Sequence, residues 1–124
     1  MRFRSAVPTF LVEDVGATAA WYAGELGFSY ETFPKEPPFA YASLQRDGAE
    51  IMLLRQEGYR KPEVVRAAGA CDAYVRLDGV LELWERLRGK PFVVKPLTRQ
   101  SYGDTEFELR DPNGYVLVFG ELVG

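Results

Sequence analysis

Two glutamates stand two residues apart in "DTEFELR", with Phe107 and Leu109 in the alternate places, so a strand here puts Glu106 and Glu108 on one face and the apolar pair on the other. Carboxylates set side by side can pair with a cationic ligand, contribute to an oxygen-only metal site or accept a proton. Other chemistry is sparse. Histidine is absent, which removes the commonest base at neutral pH and the commonest metal ligand. Cys71 is the only cysteine, so an internal disulfide and a thiolate metal cluster are both excluded, and it reads as a small buried apolar residue.

The net charge of −3 and a pI near 5.0 argue against nucleic acid or an anionic membrane as partner, since both call for a basic face. With 47% apolar and 27% charged residues and no long apolar run, the chain is neither disordered nor membrane-spanning. Its first residues, MRFRSAVPTF, lack the apolar stretch and cleavage site of a signal peptide, so a cytoplasmic protein is expected.

The elements that must position the carboxylates follow from periodicity. Alternation predicts strands at about 5–12, 28–34, 39–46, 49–56, 71–78, 92–97, 104–110 and 115–121. A helix over about 14–26 has Asp14 as N-cap, Gly27 past its end, and Val15, Ala19, Tyr22 and Leu26 along one side. A second, over about 79–88, carries Val80, Leu83, Trp84 and Leu87 and is closed by Gly89. Trp21 and Trp84 fall in these apolar stripes and read as core or helix-interface residues.

Both halves run strand, helix, three strands, and Asp14 stands as far from Asp47 as Asp78 does from Asp111. The expected fold class is therefore α+β, two tandem βαβββ modules forming curved sheets around a cleft, with the helices on the outer face. Module one covers about 1–56 and module two about 71–124, joined by a linker over 57–70 with a short helix after Pro62. Each module is too small to bury its own layers well, so the two are expected to pack as a single domain, 1–124.

Four stretches in order, "PTFLVEDV", "AAWYAGELGF" beside an FYxxxLGF pattern, "RLDGVLELWERL" and "DPNGYVLVFGE", resemble the vicinal-oxygen-chelate superfamily of glyoxalases, dioxygenases and bleomycin-resistance proteins. In its metal-dependent members three strand positions carry the ligands. Carried over by spacing, these fall on Val7, Asp72 and Val118. Val, Asp and Val do not make a zinc or iron site, so no metal and no other cofactor is expected. Glu121, three residues beyond Val118, turns to the opposite face and reads as a polar strand end.

If those positions face the cleft, strand parity adds the rest. The cleft face then holds Val7, Thr9, Tyr41, Ser43, Met52, Leu54, Asp72, Tyr74, Glu106, Glu108 and Val118, with Tyr102 on the loop at its mouth. Arg76 is expected to neutralise Asp72 or a glutamate, and "FPKEPPF" to form a loop flanking the entrance. The alternative, that Glu106 and Glu108 lie on an ordinary wet sheet face, stays open from the sequence.

An aromatic pocket with an acidic edge suits a cationic or amphipathic aromatic compound. The resemblance lies nearest the bleomycin-resistance branch, implying a metal-independent small-molecule binding or sequestration protein active in antibiotic resistance, with its cleft at a homodimer interface. The alternative is a metal-dependent or metal-free lyase, dioxygenase or transferase of the same superfamily; a metal-free enzyme would use Glu106 or Glu108 as its base.

Overall fold

The computed structural model describes residues 1–122, and the chain divides into two compact units, Met1–Pro62 and the part from Glu63 onward. In the first unit β1 (Thr9–Val12), α1 (Val15–Leu26), β2 (Ser29–Phe33), β3 (Tyr41–Arg46) and β4 (Ala49–Arg55) follow one another. Its sheet has the order β1-β4-β3-β2, with β1 parallel to β4 and the other neighbours antiparallel. The second unit repeats this plan. There β5 (Ala73–Arg76), α2 (Val80–Leu87), β6 (Val93–Arg99), β7 (Asp104–Arg110) and β8 (Val116–Leu122) give the order β5-β8-β7-β6, again with the outer pair β5 and β8 parallel. The fold is α+β, two tandem βαβββ modules with open mixed sheets.

The first helix starts where its cap dictates. Asp14 is extended, and its Oδ1 accepts from the Ala17 N–H at 2.9 Å, while Gly27 ends the helix in the left-handed region at φ 70°. Val15, Ala19, Tyr22 and Leu26 are buried and α1 packs on β2, β3 and β4, whose Ala42, Leu44, Ile51 and Leu53 are also buried. Burying each of the larger side chains contributes roughly 1.5–3 kcal/mol. In the second unit Trp84 of α2 lies against Phe107, which stacks on Phe119, so odd-numbered residues of β7 and β8 face the helix. Trp84 is the helix-interface residue its stripe predicted.

The second helix has no cap of its own. Its first residue is preceded by Gly79 at φ 95°, and the two leading N–H groups, of Gly79 and Val80, donate instead to Glu121 Oε1 at 2.9 and 3.0 Å. Glu121 does turn away from the Val118 face, as parity required, but it is a long-range helix cap and not merely a polar strand end. Glu121→Ala is expected to lower stability by about 1 kcal/mol, as the loss of an ordinary N-cap does, and Glu121→Gln by less. Urea denaturation reads the difference; an unchanged midpoint in the alanine variant would remove the capping role.

β3 and β5 are shorter than expected, at Tyr41–Arg46 and Ala73–Arg76, and three other departures have physical reasons. β1 begins at Thr9 because Pro8 has no N–H to donate; Pro8 contributes only its carbonyl, to the Met52 N–H, and Val7 lies outside the strand. No helix follows Pro62: the segment before Gly69 is too short to offset nucleation, and its Val64 and Val65 are exposed with no surface to bury them. β6 runs on to Arg99 as an edge strand whose pairing with β7 slips on either side of Lys95, next to Pro96.

Candidate functional site

The expected site residues fall into two sets. Val7, Thr9, Tyr41 and Met52 belong to the first unit and Asp72, Tyr74, Tyr102, Glu106, Glu108 and Val118 to the second. In the first, Thr9, Met52 and Ser43 form one cross-strand row, and Leu11, Leu54, Tyr41 and Phe33 form the next, on the face away from α1. That face is mixed and partly open: Glu31 continues the first row, the Ser43 hydroxyl donates to Glu50 at 3.0 Å, and Phe33 and Leu54 are exposed.

The second set is held more tightly. Val118 pairs with Tyr74 on one side and Glu108 on the other, and Gly120 lies between Arg76 and Glu106 in the next row. All stand on the face away from α2. Glu106 and Glu108 are only 9% and 8% exposed, so they do not sit on a wet surface.

What holds them is a chain of hydrogen bonds. The Tyr74 hydroxyl lies 2.7 Å from Glu106 Oε2 and 2.8 Å from Asp104 Oδ2, and the Tyr102 hydroxyl donates to Glu106 Oε1. Arg76 grips both oxygens of Asp104 at 3.1–3.2 Å and stacks over the Tyr74 ring. Lys95 stands 3.7 Å from Glu108. Arg76 therefore neutralises Asp104, and neither Asp72 nor a glutamate. Asp72 is taken by Arg66 at 3.0–3.1 Å and by the Val116 N–H at 2.8 Å.

A missing side chain makes this geometry possible. A Cβ on Gly120 would lie 2.0 Å from the Tyr74 hydroxyl oxygen, so only glycine lets the phenol cross β8 to reach the carboxylates of β7. Asp104 was not among the expected site residues, yet it shares the parity of Glu106 and Glu108 on β7; the i, i+2, i+4 spacing carried the signal.

The electrostatics follow. Arg76, and after it Tyr74, hold the Asp104 carboxyl below its ordinary range. Burial and then the two carboxylates push the Tyr74 phenol far up, and the bond to Glu106 pushes Tyr102 up to about 12, so both phenols are hydrogen donors at neutral pH. Burial also raises the Cys71 thiol, with Asp72 and Glu108 adding to it, which keeps it from acting as a thiolate nucleophile. Asp104, Glu106, Glu108 and Asp72 face Arg76, Lys95 and Arg66, and Glu106 is the one of the four whose described hydrogen bonds and ion pairs are all to uncharged groups, with Arg76 acting on it only through space.

The metal positions do not fit a metal. Val7 and Val118 have no donor atoms, Asp72 is already bound, and no group of three His, Cys, Asp or Glu among the described residues is placed to hold an ion. A separate hollow of about 360 Å³ lies in the first unit, lined by Glu13, Asp14, Gly16, Phe39 and Arg55 among others, and takes in none of the expected residues. The "FPKEPPF" loop thus packs at the start of α1, with Phe39 against Gly16.

Comparison with known proteins agrees with this architecture. The model of the glyoxalase/bleomycin resistance protein/dioxygenase superfamily matches residues 5–119. Among solved structures, TioX from Micromonospora sp. ML1 superimposes with a TM-score of 0.76 at 20% identity, over 98% of this chain and 100% of that one. The bleomycin-binding protein of bleomycin-producing Streptomyces verticillus, complexed with copper(II)-bleomycin, gives 0.65 at 19% identity over 100% and 98%. Lactoylglutathione lyase from Agrobacterium tumefaciens gives 0.68 at 17% over 95% and 92%. Comparison with curated proteins gives no match.

Proposed function

Since this chain belongs to the glyoxalase/bleomycin resistance protein/dioxygenase superfamily, we propose that it is a metal-independent binding protein that sequesters a small cationic or amphipathic aromatic molecule. One observation carries this reading: carboxylates that are nine-tenths buried stand beside Tyr74 and Tyr102, and Glu106 among them is hydrogen-bonded only by phenols. A partly dry carboxylate attracts a cationic partner far more strongly than an exposed one, and the tyrosine rings add stacking and cation–π contact. The likeness to a protein complexed with copper(II)-bleomycin supports a ligand of that general kind.

In this reading the chain works as a single domain, and the exposed Phe33 and Leu54 are covered in a cytoplasmic homodimer. The metal-dependent alternative would need donors that Val7 and Val118 lack.

The test is a thermal-shift screen of purified protein against cationic aromatic drugs, glycopeptides and divalent metals, with elemental analysis and light scattering on the same sample. A rise in melting temperature with aromatic cations, no stoichiometric metal and a dimer mass are expected. About one Zn, Fe, Ni or Mn per chain would overturn the metal-independent reading. Stabilisation by neutral or anionic aromatics alone would overturn the cationic one.

A further inference from the structure

The carboxylate of Glu106 is short of hydrogen. Its Oε2 shares the single Tyr74 hydroxyl hydrogen with Asp104 Oδ2, and its Oε1 has the Tyr102 hydroxyl. These two phenols are not equivalent. Tyr74 is pinned by a bond to Asp104, by the Arg76 guanidinium over its ring and by its seat above Gly120. Tyr102 is 60% exposed, stands on the turn between β6 and β7 beside Gly103 at φ 101°, and reaches the site through the one bond to Glu106.

We infer that Tyr102 is a displaceable stand-in for the ligand, and that the site therefore selects cations bearing an N–H over cations of the same size and charge that have none. This rests on the cation-binding reading above. A protonated amine can take Glu106 Oε1 from Tyr102 and return a charge-assisted hydrogen bond for a neutral one, while the freed phenol goes to water at little cost. A quaternary ammonium brings charge but no hydrogen. Displacing Tyr102 would leave a nearly buried oxygen without a donor, which is the expensive side of the exchange. No proton changes hands: one donor replaces another on the same oxygen.

Other groups on this face do not supply the missing donor. Arg76 is spent on Asp104, Lys95 stands beside Glu108, and Arg66 is bound to Asp72. Cys71 carries its proton but is a weak donor.

The matched probes are N,N-dimethyl-1-naphthylmethylamine, protonated at neutral pH, and its N-methylated quaternary ammonium, titrated by calorimetry into wild type, Tyr102→Phe and Glu106→Gln. Wild type is expected to bind the tertiary amine about tenfold more tightly, the worth of one charge-assisted hydrogen bond. Tyr102→Phe, which removes the competitor from an exposed position, should tighten the amine by roughly two- to tenfold. Glu106→Gln should erase the preference. Equal affinity of wild type for both probes, or weaker amine binding by a Tyr102→Phe protein with an unchanged circular dichroism spectrum, would overturn the exchange while leaving the cation site standing. If neither probe binds wild type, the cation-binding reading falls and this inference falls with it.

Discussion

The double substitution Glu106→Gln, Glu108→Gln is expected to weaken binding of the protonated naphthylmethylamine by at least about a hundredfold, since charge-assisted hydrogen bonds are worth roughly 1.5–3 kcal/mol each. Both side chains are nine-tenths buried, so water screens them little, and the loss should approach the upper part of that range. Glu108 acts in a second way. Its carboxylate stands 3.7 Å from Lys95, and an amide there would leave the ammonium facing the ligand with its charge uncompensated.

Stability should move by less than about 1 kcal/mol, because Lys95 is largely exposed and the Phe107 and Leu109 side chains on the other face are untouched. At position 106 the glutamine carbonyl oxygen still accepts from Tyr102, while its amide N–H donates to the Tyr74 hydroxyl oxygen, whose own hydrogen then goes to Asp104. Calorimetric titration of wild type and double variant at two salt concentrations gives the result. Equal affinity without salt dependence would mean that the glutamates are structural only, and the cationic reading would be lost.

Most of the scaffold around these glutamates was legible in the sequence because periodicity reports burial directly. The α1 stripe of Val15, Ala19, Tyr22 and Leu26 is buried as a unit, and β7 occupies Asp104–Arg110, the range its alternation predicted. Repetition was equally visible, since both sheets have the same order. Parity also placed Glu106 and Glu108 opposite the Phe107 and Leu109 core.

What the sequence hid were pairings between elements distant along the chain. Nothing local says that Arg76 finds Asp104, that Asp72 is bound by Arg66 and Val116, or that Glu121 caps a helix beginning at Val80. The Arg66–Asp72 pair spans only six residues, but the others depend on β5 lying parallel beside β8, which brings residues more than forty positions apart into register. The absent helix after Pro62 failed differently: its residues permit a helix, but no neighbouring surface buries Val64 or Val65.

Gly120 belongs to the hidden group, and the largest stability effect is expected there. Gly120→Ala sets a methyl carbon where the Tyr74 hydroxyl oxygen now lies, 2.0 Å from the ideal Cβ, and 2.8 Å from the ring carbon that carries it. The backbone of Gly120 is held between β5 and β7, so the phenol must move. Tyr74 is 37% exposed and can swing outward, but Asp104 and Glu106 then lose a shared donor while remaining buried. Crowding of this kind costs about 1–3 kcal/mol, and the lost hydrogen bonds add to it. With Tyr74→Ala already in place, the same methyl should cost much less, so a double-mutant cycle should return a coupling of at least about 1 kcal/mol. An independent readout is alkaline titration of the tyrosines by ultraviolet absorbance. In wild type the folded-state pKa values of Tyr74 and Tyr102 lie above the unfolded value, so their hydrogen bonds stabilise the fold fully below about pH 10. That contribution fades as pH rises through about 12 for Tyr102 and higher still for Tyr74. In Gly120→Ala the Tyr74 phenol, freed from Asp104 and Glu106, should titrate nearer the ordinary range, and the variant should lose less stability than wild type on going alkaline because that share is already gone. A Gly120→Ala protein as stable as wild type, with an unchanged tyrosine titration, would mean that the phenol does not depend on the crossing.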